Sequence, residues 1–239
     1  MKSENLIKLE SVVLKEARNS KAALAFSGGV DSTILLEVMK QADLDVLPLT
    51  FDLEESYKLP EVYNNTKERC YFCKSLMMGT LKEKASSEGY SVLFDGTNAD
   101  DLKEYRPGLK ALKEQGIVSP IAEAGLTKEQ IRNIGRELGL EIADKPSSPC
   151  VMTRFPYNTV VSSEMREAVK KAETIVKDSG HEACRVRVYG KLSKIELPEE
   201  EFDSASEKLA DNVLSVLKKI GVTEVEFDPK GLRSGTMDE

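Results

Sequence analysis

The chain has 239 residues, 41 acidic against 34 basic, and a formal net charge of −7. This length suits one large domain or a domain joined to a smaller one. The acidic balance and the lack of tryptophan argue against a large nucleic-acid partner, which calls for a basic face and stacking platforms.

The apolar runs are too short to span a bilayer, and the amphipathic N-terminus lacks the apolar core of a signal peptide. A cytoplasmic protein without a membrane partner is expected. Residues 4–18 carry Leu6, Leu9, Val13 and Ala17 at helical spacing. A strand at 22–26 and a helix from about 32 to 41 follow, then a strand at 45–51 and a polar stretch at 52–69. A helix is expected over 74–88, a short strand over 91–95 and a helix over 127–138. For the last, Thr127 and Gln130 form a capping box and Gly139 is the stop. Strands alternating with helices imply a doubly wound, mostly parallel α/β sheet.

The pattern changes near 158–162. A helix over 163–179 precedes two alternating strands, 185–189 and 193–197, joined as a hairpin across Gly190-Lys191. A long helix over 199–220 and a last strand over 222–227 complete a smaller α+β C-terminal domain. The expected division is 1–157 and 158–239, with substrate binding or oligomerisation assigned to the second part.

Between the first strand and its helix lies Ser27-Gly28-Gly29-Val30-Asp31-Ser32-Thr33. A strand, a glycine turn and a helix start aim amides and the positive end of a helix dipole at one spot, which suits phosphate oxygens. Ser27, Ser32 and Thr33 add hydroxyls, and Asp31 is expected to organise the turn or to hold Mg²⁺. The Walker lysine is absent. Asp95, Gly96 and Thr97 end a later strand, the usual place for ligand contact in such sheets.

Four cysteines in a cytoplasmic chain favour metal binding or chemistry over disulfides. Cys70 and Cys73 form a Cys-x-x-Cys turn, and Cys150 lies far off in sequence. Three such ligands fit a zinc with an open position or a four-iron, four-sulfur cluster with one iron free. Cys184 reads as a small buried hydrophobe. His181, the only histidine, reads as a partner for a helix C-terminus.

The loop resembles that of the PP-loop ATP pyrophosphatases, with an adenine nucleotide α-hydrolase-like fold, which split ATP between its α and β phosphates. Further motifs narrow the likeness: Asp95 to Asp101, Tyr105 to Gly108, Arg154-Phe155-Pro156-Tyr157, Arg185-Val186-Arg187, Ile195 to Pro198 and Gly231 to Gly235. Together they resemble the LarE family of ATP-dependent sulfur transferases, which serve nickel-pincer cofactor biosynthesis. The resemblance implies ATP, Mg²⁺ and a small phosphorylated carboxylate as ligands, with sulfide or another sulfur donor. It also implies adenylation of the carboxylate of a pyridinium mononucleotide, followed by thiocarboxylate formation.

One branch of that family sacrifices a single cysteine, placed five residues before the Arg-Phe-Pro arginine; here Cys150 lies four before Arg154. The branch with three cysteines is similar to this chain and implies a [4Fe-4S] cluster on Cys70, Cys73 and Cys150. The family usually carries a full strand-helix-strand unit where this chain has only 45–69. By resemblance Lys74 lies near the ATP phosphates, Arg185 and Arg187 face the substrate phosphate, and Glu196 meets substrate or a metal. Arg106 is assigned to phosphate or to Asp100 or Asp101, and Arg154 to substrate or α-phosphate. Arg233 is expected to reach a neighbouring subunit of a homo-oligomer. A tRNA 2-thiolation enzyme and a nucleotide-binding module with a structural zinc are the alternative readings.

Overall fold

A computed structural model describes residues 2–103, 106–204 and 206–233, the side chains of 203 and 204 excepted. Tyr105, Ser234 and Gly235 of the motifs above lie outside the described residues. The chain divides into two units, Met1–Val62 with Glu68–Lys145, and Tyr63–Lys67 with Pro146–Glu239.

The first unit is built on a parallel sheet of β1 (Lys21–Ala25), β2 (Asp45–Leu49) and β3 (Leu93–Phe94), in the order β2-β1-β3. Lys21 to Ala25 pair in register with Asp45 to Leu49, and Ala23 and Leu24 pair with Leu93 and Phe94. Because side chains alternate across a strand, β1 serves two cores. Ala22, Leu24 and Phe94 join Leu6, Leu9 and Val13 of α1 (Glu4–Glu16), Ile34, Leu35, Val38 and Met39 of α2 (Val30–Gln41), and Ile131 and Ile134 of α8 (Lys128–Glu137). Ala23 and Leu93 join Met78, Leu81 and Ala85 of α5 (Arg69–Ser87) and Leu112 of α6 (Pro107–Gln115). Helices thus cover both faces, as parallel strands require. Fully burying a leucine of this kind stabilises the fold by about 1.5–3 kcal/mol.

The segment 52–69 forms two single-turn helices, α3 (Leu53–Ser56) and α4 (Pro60–Tyr63), and no added strand. One further turn, α7 (Pro120–Glu123), follows a bridge between Phe94 and Val118. The α8 capping box is present in full: Thr127 Oγ1 accepts from Gln130 N, and Gln130 Oε1 accepts from Thr127 N.

Several boundaries differ from the sequence pattern. The strand expected over 91–95 pairs only at Leu93–Phe94. The Cys-x-x-Cys segment is not a turn, because α5 begins at Arg69 and takes in both cysteines.

In the second unit α9 (Ser163–Asp178) and α10 (Glu207–Leu217) pack together and against a sheet ordered β4-β5-β6. The hairpin of β4 (Arg185–Tyr189) and β5 (Leu192–Glu196) is antiparallel, and β6 (Glu224–Phe227) runs parallel to β5. The long helix expected over 199–220 is broken. Residues Glu199–Ser204 are 3-10, and α10 starts after Ser206, whose side chain accepts from Leu209 N. Serine and aspartate favour such caps over helix interiors, which explains the break.

Helix α8 approaches α2 through Gly135. A Cβ there would lie 2.7 Å from Ile34 Cδ1 and 2.9 Å from Ala143 Cβ. Gly135→Ala is therefore expected to lose about 1–3 kcal/mol by overpacking, despite alanine's better helix propensity. Urea denaturation should show a lowered midpoint with an unchanged slope.

Candidate active site

The Ser27–Thr33 loop is closed by its own hydroxyls. Gly28 turns at φ +68, a conformation that costs glycine little. Ser27 Oγ and Ser32 Oγ lie 3.1 Å apart, Ser27 Oγ accepts from Gly29 N at 3.3 Å, and Ser32 Oγ donates to Gly29 O at 3.2 Å. Val30, Asp31 and Ser32 open α2, so their amides have no intrahelical acceptor. Thr33 Oγ1 is buried without a hydrogen-bond partner. A Cβ on Gly96 would stand 3.2 Å from Ser32 N and 3.3 Å from Asp31 Cβ, so the end of β3 backs directly onto the loop. This cradle of donors fits a polyphosphate.

The surrounding charges are ordered. Asp95 is buried and accepts from Thr97 N, Thr97 Oγ1 and Ser119 Oγ, at 3.2, 2.7 and 2.6 Å. Lys74 Nζ lies 3.6 Å from Asp95 Oδ2, which ties the cysteine-bearing helix α5 to the end of β3. Arg106 pairs with Asp101 at 2.5 Å. Asp31 is held by Lys128, whose Nζ lies 2.7 Å from each carboxylate oxygen. Lys128 escaped the sequence reading because it follows a helix cap and belongs to no motif; only the three-dimensional meeting of α8 with α2 marks it.

Cys70 and Cys73 are three apart near the start of α5 and so share a helix face. A Cβ on Gly108, at the start of α6, would stand 3.5 Å from the Cys70 carbonyl oxygen and 3.6 Å from Lys74 Cβ. Cys150 belongs to the second unit, where it caps a 3-10 turn, Val151–Arg154, and is exposed. Among the described residues no three His, Cys, Asp or Glu side chains are grouped to hold a metal ion. The helical pair is two of the three thiolates that the three-cysteine reading calls for.

In the second unit the arginines are buried and held. Arg187 is 3% exposed and Glu196 is 0% exposed, and Arg187 Nε donates to Glu196 Oε1 at 2.6 Å. Arg187 also donates to Thr153 O at 2.7 Å and Arg233 O at 3.3 Å. Glu196 Oε2 is buried without a partner. Arg154, equally buried, donates to both oxygens of Glu173 at 2.5 and 3.3 Å. Glu173 was not singled out in the sequence; it lies on α9 with no motif around it.

Arg185 donates to Arg233 O and has no carboxylate partner among the described residues. Burial lowers its pKa, and the Arg154 and Arg187 cations push the same way, against the Glu196 and Glu173 carboxylates. An excess of positive charge around Arg185 suits an anion. Arg233 itself bonds to Asp228 at 3.1 Å. His181 follows α9, is buried, and places Nδ1 2.6 Å from Glu201 Oε2.

The chain is similar over almost its whole length to known proteins. It is 30% identical over 247 aligned positions to the pyridinium-3,5-bisthiocarboxylic acid mononucleotide synthase of Lactiplantibacillus plantarum, covering 92% of this chain and 89% of that one. It is 32% identical over 259 positions to an uncharacterized protein of Synechocystis, covering 97% of each. Argininosuccinate synthase of Pyrococcus furiosus is 26% identical over 165 positions, 52% of this chain and 40% of that one. No family model matches the chain.

Removing one partner of the buried Arg187–Glu196 pair leaves a charge without compensation. Glu196→Ala is expected to destabilise the protein by about 3–5 kcal/mol, measured by urea denaturation.

Cys184 offers a second check. Burial, then the Glu173 carboxylate, pushes its thiol from 9.0 up to about 12. The folded state therefore keeps the proton longer than the unfolded one. The associated stability is present below pH 9 and lost between pH 9 and pH 12. At mildly alkaline pH, iodoacetamide should modify exposed Cys150 and spare buried Cys184 until denaturant is added.

Proposed function

Since the chain belongs to the LarE family of PP-loop ATP-dependent sulfurtransferases, we propose that it converts a pyridinium dicarboxylate mononucleotide into the thiocarboxylate, in nickel-pincer cofactor biosynthesis. The observation that carries the proposal is the near full-length likeness to a synthase whose name states that product. The donor-lined loop after β1 supports its activating half.

In this reading a substrate carboxylate oxygen attacks the α phosphorus of ATP, and the bond to pyrophosphate breaks. Sulfide then attacks the acyl carbon, and AMP leaves with the original carboxylate oxygen. The protein's part is positioning and charge stabilisation. The amides at the start of α2, with Ser27, Ser32 and Thr33, receive the phosphates. Gly28, Gly29 and Gly96 let the backbone come close, with Asp95 and Thr97 beside them. Lys74, restrained by Asp95, meets the charge that develops on pyrophosphate. Asp31 is suited by its oxygen donors to Mg²⁺.

On the second unit Arg185 is the anion receiver for the substrate phosphate. Arg154 and Arg187, already engaged by Glu173 and Glu196, hold the surrounding frame. Arg106 on the first unit and Arg233 on the second, with carboxylate partners of their own, are proposed as further substrate contacts. The ATP-activating part is proposed as the first unit and the substrate part as the second, which begins at Pro146 and not at the 158 of the sequence pattern, and takes in 63–67.

Cys70, Cys73 and Cys150 are proposed to hold a [4Fe-4S] cluster, which when bound would carry the sulfide. The helical spacing of the first two and the family's three-cysteine branch support this.

Incubation with ATP, sulfide and the dicarboxylated pyridinium mononucleotide should give a product with oxygen replaced by sulfur, read by mass spectrometry, together with AMP and pyrophosphate. Cys150→Ala should abolish that gain. Protein purified anaerobically should be brown and hold about four irons per chain. A colourless protein that releases no pyrophosphate would refute the proposal. Turnover that converts Cys150 to dehydroalanine would replace the cluster route by the sacrificial one.

A further inference from the structure

Asp31 stands on the first turn of α2, beside the helix-opening amides of Val30, Asp31 and Ser32. A carboxylate is favourable at a helix N-terminus on its own. It becomes unfavourable when a second anion must bind at the same turn, because like charges a few ångström apart repel.

Lys128 answers this conflict. Its Nζ sits 2.7 Å from both Asp31 oxygens, and Asn98 Nδ2 adds a bond at 3.3 Å. The lysine is anchored in turn. It is the first residue of α8, behind the Thr127 capping box, and its backbone N–H donates to Asp100 Oδ2 at 2.9 Å. Asn98 Oδ1 accepts from Asp100 N at 2.9 Å and Asp101 N at 3.2 Å. One hydrogen-bonded circuit therefore runs from Lys128 through Asp100 and Asn98 back to Asp31.

The neighbouring acids already have other cations. Lys103 takes Asp100 at 2.8 Å and Arg106 takes Asp101 at 2.5 Å. Lys128 is thus the cation matched to Asp31 among the described residues. The lysine side chain is 32% exposed and the Asp31 side chain 17%, so the pair stands where an incoming ligand would feel its net charge.

We propose that Lys128 is a positioning residue of the phosphate loop: it clamps the Asp31 carboxylate away from the α2 amides, so that a pyrophosphate group can approach them. The inference rests on the reading that this loop binds the ATP polyphosphate. It differs from a direct pull of Lys128 on phosphate: that pull is the same whatever stands at position 31, whereas the clamp matters only while a carboxylate is there to be held.

A double-mutant cycle separates the two. Affinity for inorganic pyrophosphate is measured by calorimetry on the full chain, in EDTA, so that no divalent cation competes for Asp31. The variants are Lys128→Met, Asp31→Asn and the two combined, with Lys128→Arg as the conservative control. Lys128→Met should weaken binding roughly tenfold, and by less than about twofold when Asp31 is already asparagine. Lys128→Arg should stay within about threefold of the natural chain, because it keeps the charge.

An equal loss in both backgrounds would overturn the proposal in favour of direct phosphate contact. An unchanged affinity in Lys128→Met would overturn it in favour of a purely structural pair. A natural chain that binds neither pyrophosphate nor ATP would refute the loop reading itself, and the proposal with it. If Lys128→Met does not fold, Lys128→Gln carries the same comparison, keeping a hydrogen bond to Asp31 without the charge.

Discussion

Residues 26–29 are all the chain has to pass from a buried strand into a buried helix. Ala22, Ala23 and Leu24 fix β1 in the sheet, and Ile34, Leu35, Val38 and Met39 fix α2 in the core beside it. Neither element can shift to relax the turn, so the turn must satisfy its own polar groups. Ser27 and Ser32 do this across the loop, while Gly28 absorbs the reversal. The amides left over stand in a group at the start of α2. A cluster of backbone donors is thus a by-product of hydrophobic burial on both sides of a short connection. Its precision is inherited from the core.

The second unit solves a different problem. Three of its arginines, Arg154, Arg166 and Arg187, are among the buried residues, and desolvating a cation is costly unless it is paired. Glu173 and Glu196 supply the pairing for two of them, with bonds short enough to fix each fork. Arg185 is left with a carbonyl, and it shares Glu173 and Glu196 with Arg154 and Arg187 as its charged surroundings. The fully paired positions make the frame rigid; of Arg154, Arg185 and Arg187, Arg185 alone is held by a carbonyl and not by a carboxylate among the described residues.

The fold was legible where burial and local chemistry agree. The helical spacing of Leu6, Leu9 and Val13, the Thr127–Gln130 cap and the Gly190 hairpin all appear as read. It was less legible where tertiary packing overrides local preference. The start of α5 extends through the cysteines because α6 packs along it, although Cys70-Tyr71-Phe72-Cys73 carries no helix signal of its own. The break before α10 hid in an acidic run that matches helical composition, and Ser206 marks it only in hindsight. In the site, motifs exposed the residues that lie near the ends of strands. They did not expose Lys128 or Glu173, which matter through what they face. A single sequence names one side of an ion pair; it gives no distance to the other.

The second unit is not a continuous stretch of chain, since residues 63–67 belong to it although both flanks belong to the first unit. Asn65 is fully buried there. Its side-chain Nδ2 donates to Phe155 O and Pro156 O, and its carbonyl accepts from Asn158 N. A gene cut at residue 145 would therefore deliver neither module whole: one piece would carry a stranded pentapeptide, and the other would lack the amide that closes its Phe155–Pro156 corner. The two units are bound together by the order of their codons, and any exchange of one of them between relatives has to bring this small internal segment along.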